Sequence, residues 1–137
     1  MKSLRRALFY LACVALTLPA AVSQEKKTGS APATPKYDPT TEVTVKGVVE
    51  KLKDYACPVS GGIGAHFTLK TSTEVIEVHL APSRYLPEYG IALAKGDEVE
   101  VRGSRVIYQG SPALLARQIG RGNDIFFFRD AKGRPLW

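Results

Sequence analysis

From Glu42 onward, apolar and polar residues alternate in short runs separated by glycine, proline and asparagine. That is the pattern of half-buried strands joined by turns. Val43, Val45 and Val48 lead a first strand, and Gly47 breaks its alternation, which predicts a bulge or a sharp bend there. Cys57 to Gly64, with Pro58, Gly61 and Gly62, reads as a loop. His66–Lys70 and Val75–Leu80 read as a second and a third strand, joined by a hairpin loop at Thr71–Glu74. Ala81 to Lys95 does not alternate. Ser83 is placed to cap a short helical turn there, Pro87 and Gly90 limit its length, and Tyr85, Leu86 and Tyr89 give it an apolar side. Lys95-Gly96-Asp97 turns into a fourth strand, Glu98–Ile107, with Val99 and Val101 inward and Gly103 allowing a bend. Beyond the Gln109-Gly110 turn, Ala113–Ile119 fits a strand better than a helix because it is short and lies between Pro112 and Gly120. Ile125–Arg129 is the last strand, and Ala131–Trp137 is a tail with a turn at Lys132-Gly133.

Three strands, one short helical connection, two further strands and an extra one predict an all-β fold. The expected form is a small OB-fold-like Greek-key barrel of five to six strands. Bends at Gly47 and Gly103 suit strands that turn a corner to close such a barrel. The apolar run Ile125-Phe126-Phe127-Phe128 is expected to pack into the core, with Leu136 and Trp137 plugging an open barrel end.

The first 41 residues follow a different pattern. Lys2, Arg5 and Arg6 precede an apolar run, Ala7–Leu18, that Pro19 ends, and Ala21-Val22-Ser23 offers small residues for cleavage. This is the layout of a secretory signal peptide over residues 1–23, and the run is too short to span a bilayer. Gln24–Thr41, with Pro32, Pro35 and Pro39 among polar residues, reads as a disordered linker, so the folded domain is residues 42–137. The mature protein is thus expected to be exported, periplasmic or secreted, with no transmembrane span. Cleavage changes the chemistry as well. Three of the 19 basic residues leave with the signal, so 16 remain against 13 acidic ones, a net charge of +3 rather than +6. Cys13 leaves too, because Tyr10-Leu11-Ala12 is a poor lipoprotein box, and Cys57 becomes the lone thiol of an exported chain.

The stretch from about Glu42 to Trp137 resembles the small exported OB-like domain of the MamS/MamX magnetosome family. The residues that carry the resemblance include Gly64-Ala65-His66-Phe67-Thr68-Leu69, Val78-His79-Leu80-Ala81-Pro82, Tyr85-Leu86, Gly96-Asp97-Glu98-Val99 and Gly103-Ser104-Arg105-Val106. Arg129-Asp130 through Gly133, with Pro135 and Trp137, completes the match. Part of the family attaches haem through two cysteines followed by histidine. Cys57-Pro58-Val59-Ser60 lacks the second cysteine, so covalent c-type haem is not expected here.

The two histidines carry the candidate chemistry. A simple hairpin at Thr71–Glu74 sets Leu69 opposite Ile76, Phe67 opposite Val78 and His66 opposite His79, which keeps the apolar residues on one face. The two imidazoles then lie side by side on the other, outward face, where neutral rings can chelate Zn or Cu. Cys57 is a possible third, soft ligand, and Tyr85 and Tyr89 are expected to border the site. An ordinary polar pair, hydrogen-bonded to neighbours such as Glu77 or Thr68, stays open beside this reading. So do a redox thiol favoured by Lys53 and an intermolecular disulfide at Cys57.

Other classes find less support. No nucleophile elbow surrounds any serine, no carboxylates are paired for acid–base work, and Gly61-Gly62-Ile63-Gly64 lacks the lysine of a phosphate-binding loop. The outward strand face offers His66, Thr68, Lys70, Glu77 and His79 but no stacking aromatic, which argues against nucleic acid. The expectation is a non-enzymatic exported module for an envelope protein or small ligand, with Lys70, Glu77, Tyr85 and Tyr89 on its partner face. No cofactor is expected unless the histidine pair holds Zn or Cu.

Overall fold

A computed structural model describes residues 32–137. The expected signal peptide, its cleavage at Ser23, Cys13 and the start of the linker lie outside the described residues. The chain runs through β1 (Glu42–Cys57), β2 (Gly62–Lys70), β3 (Val75–Pro82), a four-residue helix α1 (Tyr85–Glu88), β4 (Glu98–Tyr108), β5 (Ser111–Arg121) and β6 (Asp124–Phe127). No helix among the described residues is long and apolar enough to cross a membrane.

β1 is long enough to serve two neighbours. Glu42–Val48 pairs antiparallel with β4, and Val48–Cys57 pairs antiparallel with β2. β3 continues from β2 and runs parallel to β5, with Glu77, Val78 and His79 against Ala113, Leu114 and Leu115. Because β5 also pairs with β4, the order β1-β2-β3-β5-β4 closes on itself. This is the small Greek-key barrel that the alternation predicts, with β6 added outside the ring along β5.

Phe67, Leu69, Ile76, Val78, Val99 and Val101 are inward, as expected, and form one buried cluster with Leu114 and Ile119 of β5. The bends are placed differently. In β1 the register shifts between Val49 and Lys51 rather than at Gly47. Gly47 meets a steric demand instead, since a Cβ there would collide with the Lys70 carbonyl where β1 passes from one partner to the other. Gly103 sits at the β4 bulge, as expected, and a Cβ there would strike the Leu115 carbonyl. Ser83 does not cap α1. Arg84 takes that position with no side-chain bond, and Ser83 Oγ donates to Asp54 Oδ1 at 2.9 Å.

The C-terminal run is divided rather than wholly buried. Phe128 is fully enclosed and Phe126 packs on the core, but Ile125 and Phe127 are 56% and 50% exposed. A strand outside the ring has only one face to bury. Trp137 is partly buried and lies over the guanidinium of Arg129, 4.8 Å from it, while Leu136 is exposed. Arg129 is itself buried and donates to the carbonyls of Ala116 and Leu80. At the other terminus, packing begins ahead of Glu42. Tyr37 donates to Glu42 at 2.5 Å and its ring packs against Gly133. Pro39–Thr41 forms a 3-10 turn capped by Asp38 and tied to Ser104.

Candidate metal centre

Thr71 sets the β2–β3 hairpin. Its hydroxyl accepts from the amides of Thr73 and Glu74, and its own amide donates to the Glu74 carbonyl at 2.8 Å. The resulting register pairs Leu69 with Ile76, Phe67 with Val78 and His66 with His79, as the alternation requires. With Phe67 and Val78 in the barrel core, both imidazoles point to the opposite face.

That face is not open at this point, which corrects the expectation of an outward, solvated pair. His66 and His79 are only 2% and 1% exposed. The end of β1 and the tip of the β4–β5 hairpin cover them. Tyr55 stacks flat on His66, with ring centroids 3.9 Å apart and planes 6° apart. Tyr108 meets His79 edge-on at 4.5 Å, and the two imidazoles stand nearly perpendicular at 4.5 Å.

Alternation along β1 puts Lys53, Tyr55 and Cys57 on one side, so Cys57 joins the same cluster. Its Sγ lies 3.5 Å from Nδ1 of His79. One donor atom each from Cys57, His66 and His79 lie within 4.8 Å of one another, and all three residues are buried. Nδ1 of His66 and Nε2 of His79 have no hydrogen-bond partner. A buried polar atom left unpaired costs about 1–3 kcal/mol. The ordinary polar pair, hydrogen-bonded to Thr68 or Glu77, is therefore not what the side chains form.

The electrostatics favour the ligating forms. Burial, reinforced by the adjacent His66, pulls the His79 pKa down to about 4. Burial likewise lowers that of His66, against the opposing pull of Glu77 and the Gly64 and Lys53 backbone. Both rings are thus neutral at pH 7, the state that binds metal. Glu77 Oε1 lies 3.7 Å from Nε2 of His79, on the side of the ring away from Cys57. At that distance the carboxylate acts on the ring through its charge and not through a hydrogen bond. Lys53 and the Tyr55 hydroxyl in turn donate to Glu77. Burial and this carboxylate raise the Tyr55 pKa, while burial and Cys57 raise that of Tyr108, so neither hydroxyl ionises at neutral pH. A cleft of about 280 Å³ opens outside Tyr55, Glu77 and Tyr108 and stops short of the three donors.

Of the four residues expected on a partner face, Glu77 alone borders this cluster. Lys70 is exposed at the far end of the hairpin. Tyr85 and Tyr89 do not border the histidines. They stack on each other at 4.4 Å, and Tyr85 packs near Phe128 and Trp137 and donates to the Phe127 carbonyl. Sequence reasoning missed Tyr55 and Tyr108. Tyr55 was legible, two residues before Cys57 on the same strand face. Tyr108 was not, because its approach to His79 depends on barrel closure between β3 and β5.

The sequence model of the MamS/MamX magnetosome protein family matches residues 41–126. The chain belongs to that family. No curated protein matches it. The family match spans β1 through most of β6, so Cys57, His66, His79, Tyr55, Glu77 and Tyr108 all lie within the family domain.

Proposed function

We propose that this protein is an exported, non-enzymatic barrel module of the cell envelope whose ligand is a metal ion, zinc or copper, held by Cys57, His66 and His79. One observation carries the reading: three buried donor atoms, one each from Cys57, His66 and His79, converge within 4.8 Å. Thiolate and imidazole are the donors that zinc and copper take. Membership in a family named for magnetosome proteins supports a magnetosome-associated setting for the module.

The test is the metal content of the purified mature chain, residues 24–137, beside a His66→Ala/His79→Ala variant. The expected result is about one equivalent of Zn or Cu in the wild type and none in the variant. Equal retention by the two proteins would refute the proposal.

A further inference from the structure

We infer that the ion is copper, held as three-coordinate Cu(I) by Cys57, His66 and His79. This rests on the metal-binding reading above and names the ion and its coordination.

Three observations lead there. The first is the donor count. Zinc sites are almost always four-coordinate, with a fourth protein ligand or a water molecule. Among the described residues, the cluster that converges within 4.8 Å contains three donors. The nearest carboxylate, Glu77, already accepts from Lys53 at 3.2 Å and from the Tyr55 hydroxyl. Water has little access, since Tyr55 covers one imidazole, Tyr108 abuts the other, and the outer cleft does not reach the donors.

The second is charge. A thiolate with Cu(I) is neutral, whereas a thiolate with Zn(II) leaves one positive charge in a buried site. Arg129 is also buried, and its charge acts on His79 from the same region. Glu77, the nearest carboxylate, is already engaged by Lys53 and the Tyr55 hydroxyl, so it compensates that charge only in part, and a buried cation is penalised to that extent. The neutral copper complex avoids that cost.

The third is the chemistry and spacing of the donors. One soft thiolate with two imidazoles in a trigonal set is a copper arrangement. Bonds of about 2.0–2.3 Å put the donors of a trigonal ion about 3.6 Å apart. Cys57 Sγ and His79 Nδ1 already stand at 3.5 Å, so His66 alone has to close in, from within 4.8 Å.

Copper outbinds zinc at most nitrogen and sulfur sites, so affinity alone does not decide the matter. Coordination number does. The mature chain is loaded anaerobically with one equivalent of Cu(I) or of Zn(II), and X-ray absorption counts the scatterers. The expected result is Cu(I) with one sulfur and two nitrogens and no fourth donor, with Zn(II) displaced by one equivalent of Cu(I). In competition with a chromophoric Cu(I) chelator, Cys57→Ser is expected to lower affinity about 100-fold or more. Zinc bound with a fourth, solvent ligand and not displaced by Cu(I) overturns the copper assignment while leaving the metal site standing. Uptake of neither ion overturns both. Cu(I) uptake unchanged in Cys57→Ser and in His66→Ala/His79→Ala, with wild-type far-UV spectra, also overturns the assignment. If those variants do not fold, the scatterer count on the wild-type chain decides.

Discussion

Gly64→Ala tests whether the backbone behind the three donors sets their positions. Gly64 pairs with Tyr55 across β1 and β2 and lies beside both Cys57 and His66. A Cβ built there comes within 2.9 Å of His66 Cε1 and 3.1 Å of Cys57 Cβ, and it also collides with Ser60 Oγ. Ordinary carbon contacts are about 3.5–4.0 Å, so the imidazole and the cysteine each have to retreat by roughly 0.5–1 Å. The Gly64 backbone is not in the left-handed region, so the cost is steric rather than conformational. Inserting one methyl into a closely packed site costs about 1–3 kcal/mol. At about 4–8 °C per kcal/mol for a domain of this size, the apo protein is expected to melt roughly 5–20 °C lower. Metal sites tolerate only about 0.2 Å in donor distance, so affinity is expected to fall about 10- to 100-fold. Melting followed by circular dichroism, with and without one equivalent of metal, together with a chelator competition, measures both effects. The neighbouring Gly62→Ala is the control, since nothing lies within 4 Å of its added methyl and its φ is ordinary. A Gly64→Ala protein with wild-type melting and wild-type affinity would refute the placement of the donors around Gly64.

Three further outcomes follow from the packing. Gly103→Ala drives a methyl into the Leu115 carbonyl at the β4 bulge, and equilibrium unfolding in urea is expected to show a loss of about 1–3 kcal/mol. Phe128→Ala is expected to cost about 3–5 kcal/mol in the same assay, while Phe127→Ser, on the exposed side of β6, stays within about 0.5 kcal/mol; equal losses would contradict the division of the aromatic run. Glu42→Gln removes the charge that binds Tyr37, Arg102 and Arg117, at about 1–3 kcal/mol at pH 7. Burial alone would raise the Glu42 pKa, but these donors hold it below 4.5. A carboxyl lowered by folding contributes stability above its unfolded pKa and loses it as the pH falls through the folded value. The gap between wild type and Glu42→Gln is therefore expected to be full at pH 7 and to shrink below about pH 4.5, and a gap that widens in acid would contradict the network.

Much of this protein follows from local rules of the chain. Alternation with period two placed Phe67, Leu69, Ile76 and Val78 on one face, and a short hairpin loop left one register that keeps them together, so the pairing of His66 with His79 was legible from the sequence. Glycine and proline spacing marked the strands and the single short helical connection. The tertiary structure decided what local rules do not reach. Alternation says that the histidines oppose the core, but whether that face meets water depends on what crosses it: Tyr55 comes from the neighbouring β1, and Tyr108 from the end of β4, far along the chain. The same barrel closure separates Tyr85 and Tyr89 from the histidines and leaves β6 outside the ring, with Ile125 and Phe127 of the apolar run exposed. Sequence patterning thus determined which residues share a face. Only the long-range pairing of β3 with β5, and the bending of β1 between two partners, turned the two histidines and one cysteine into one buried cluster of candidate donors.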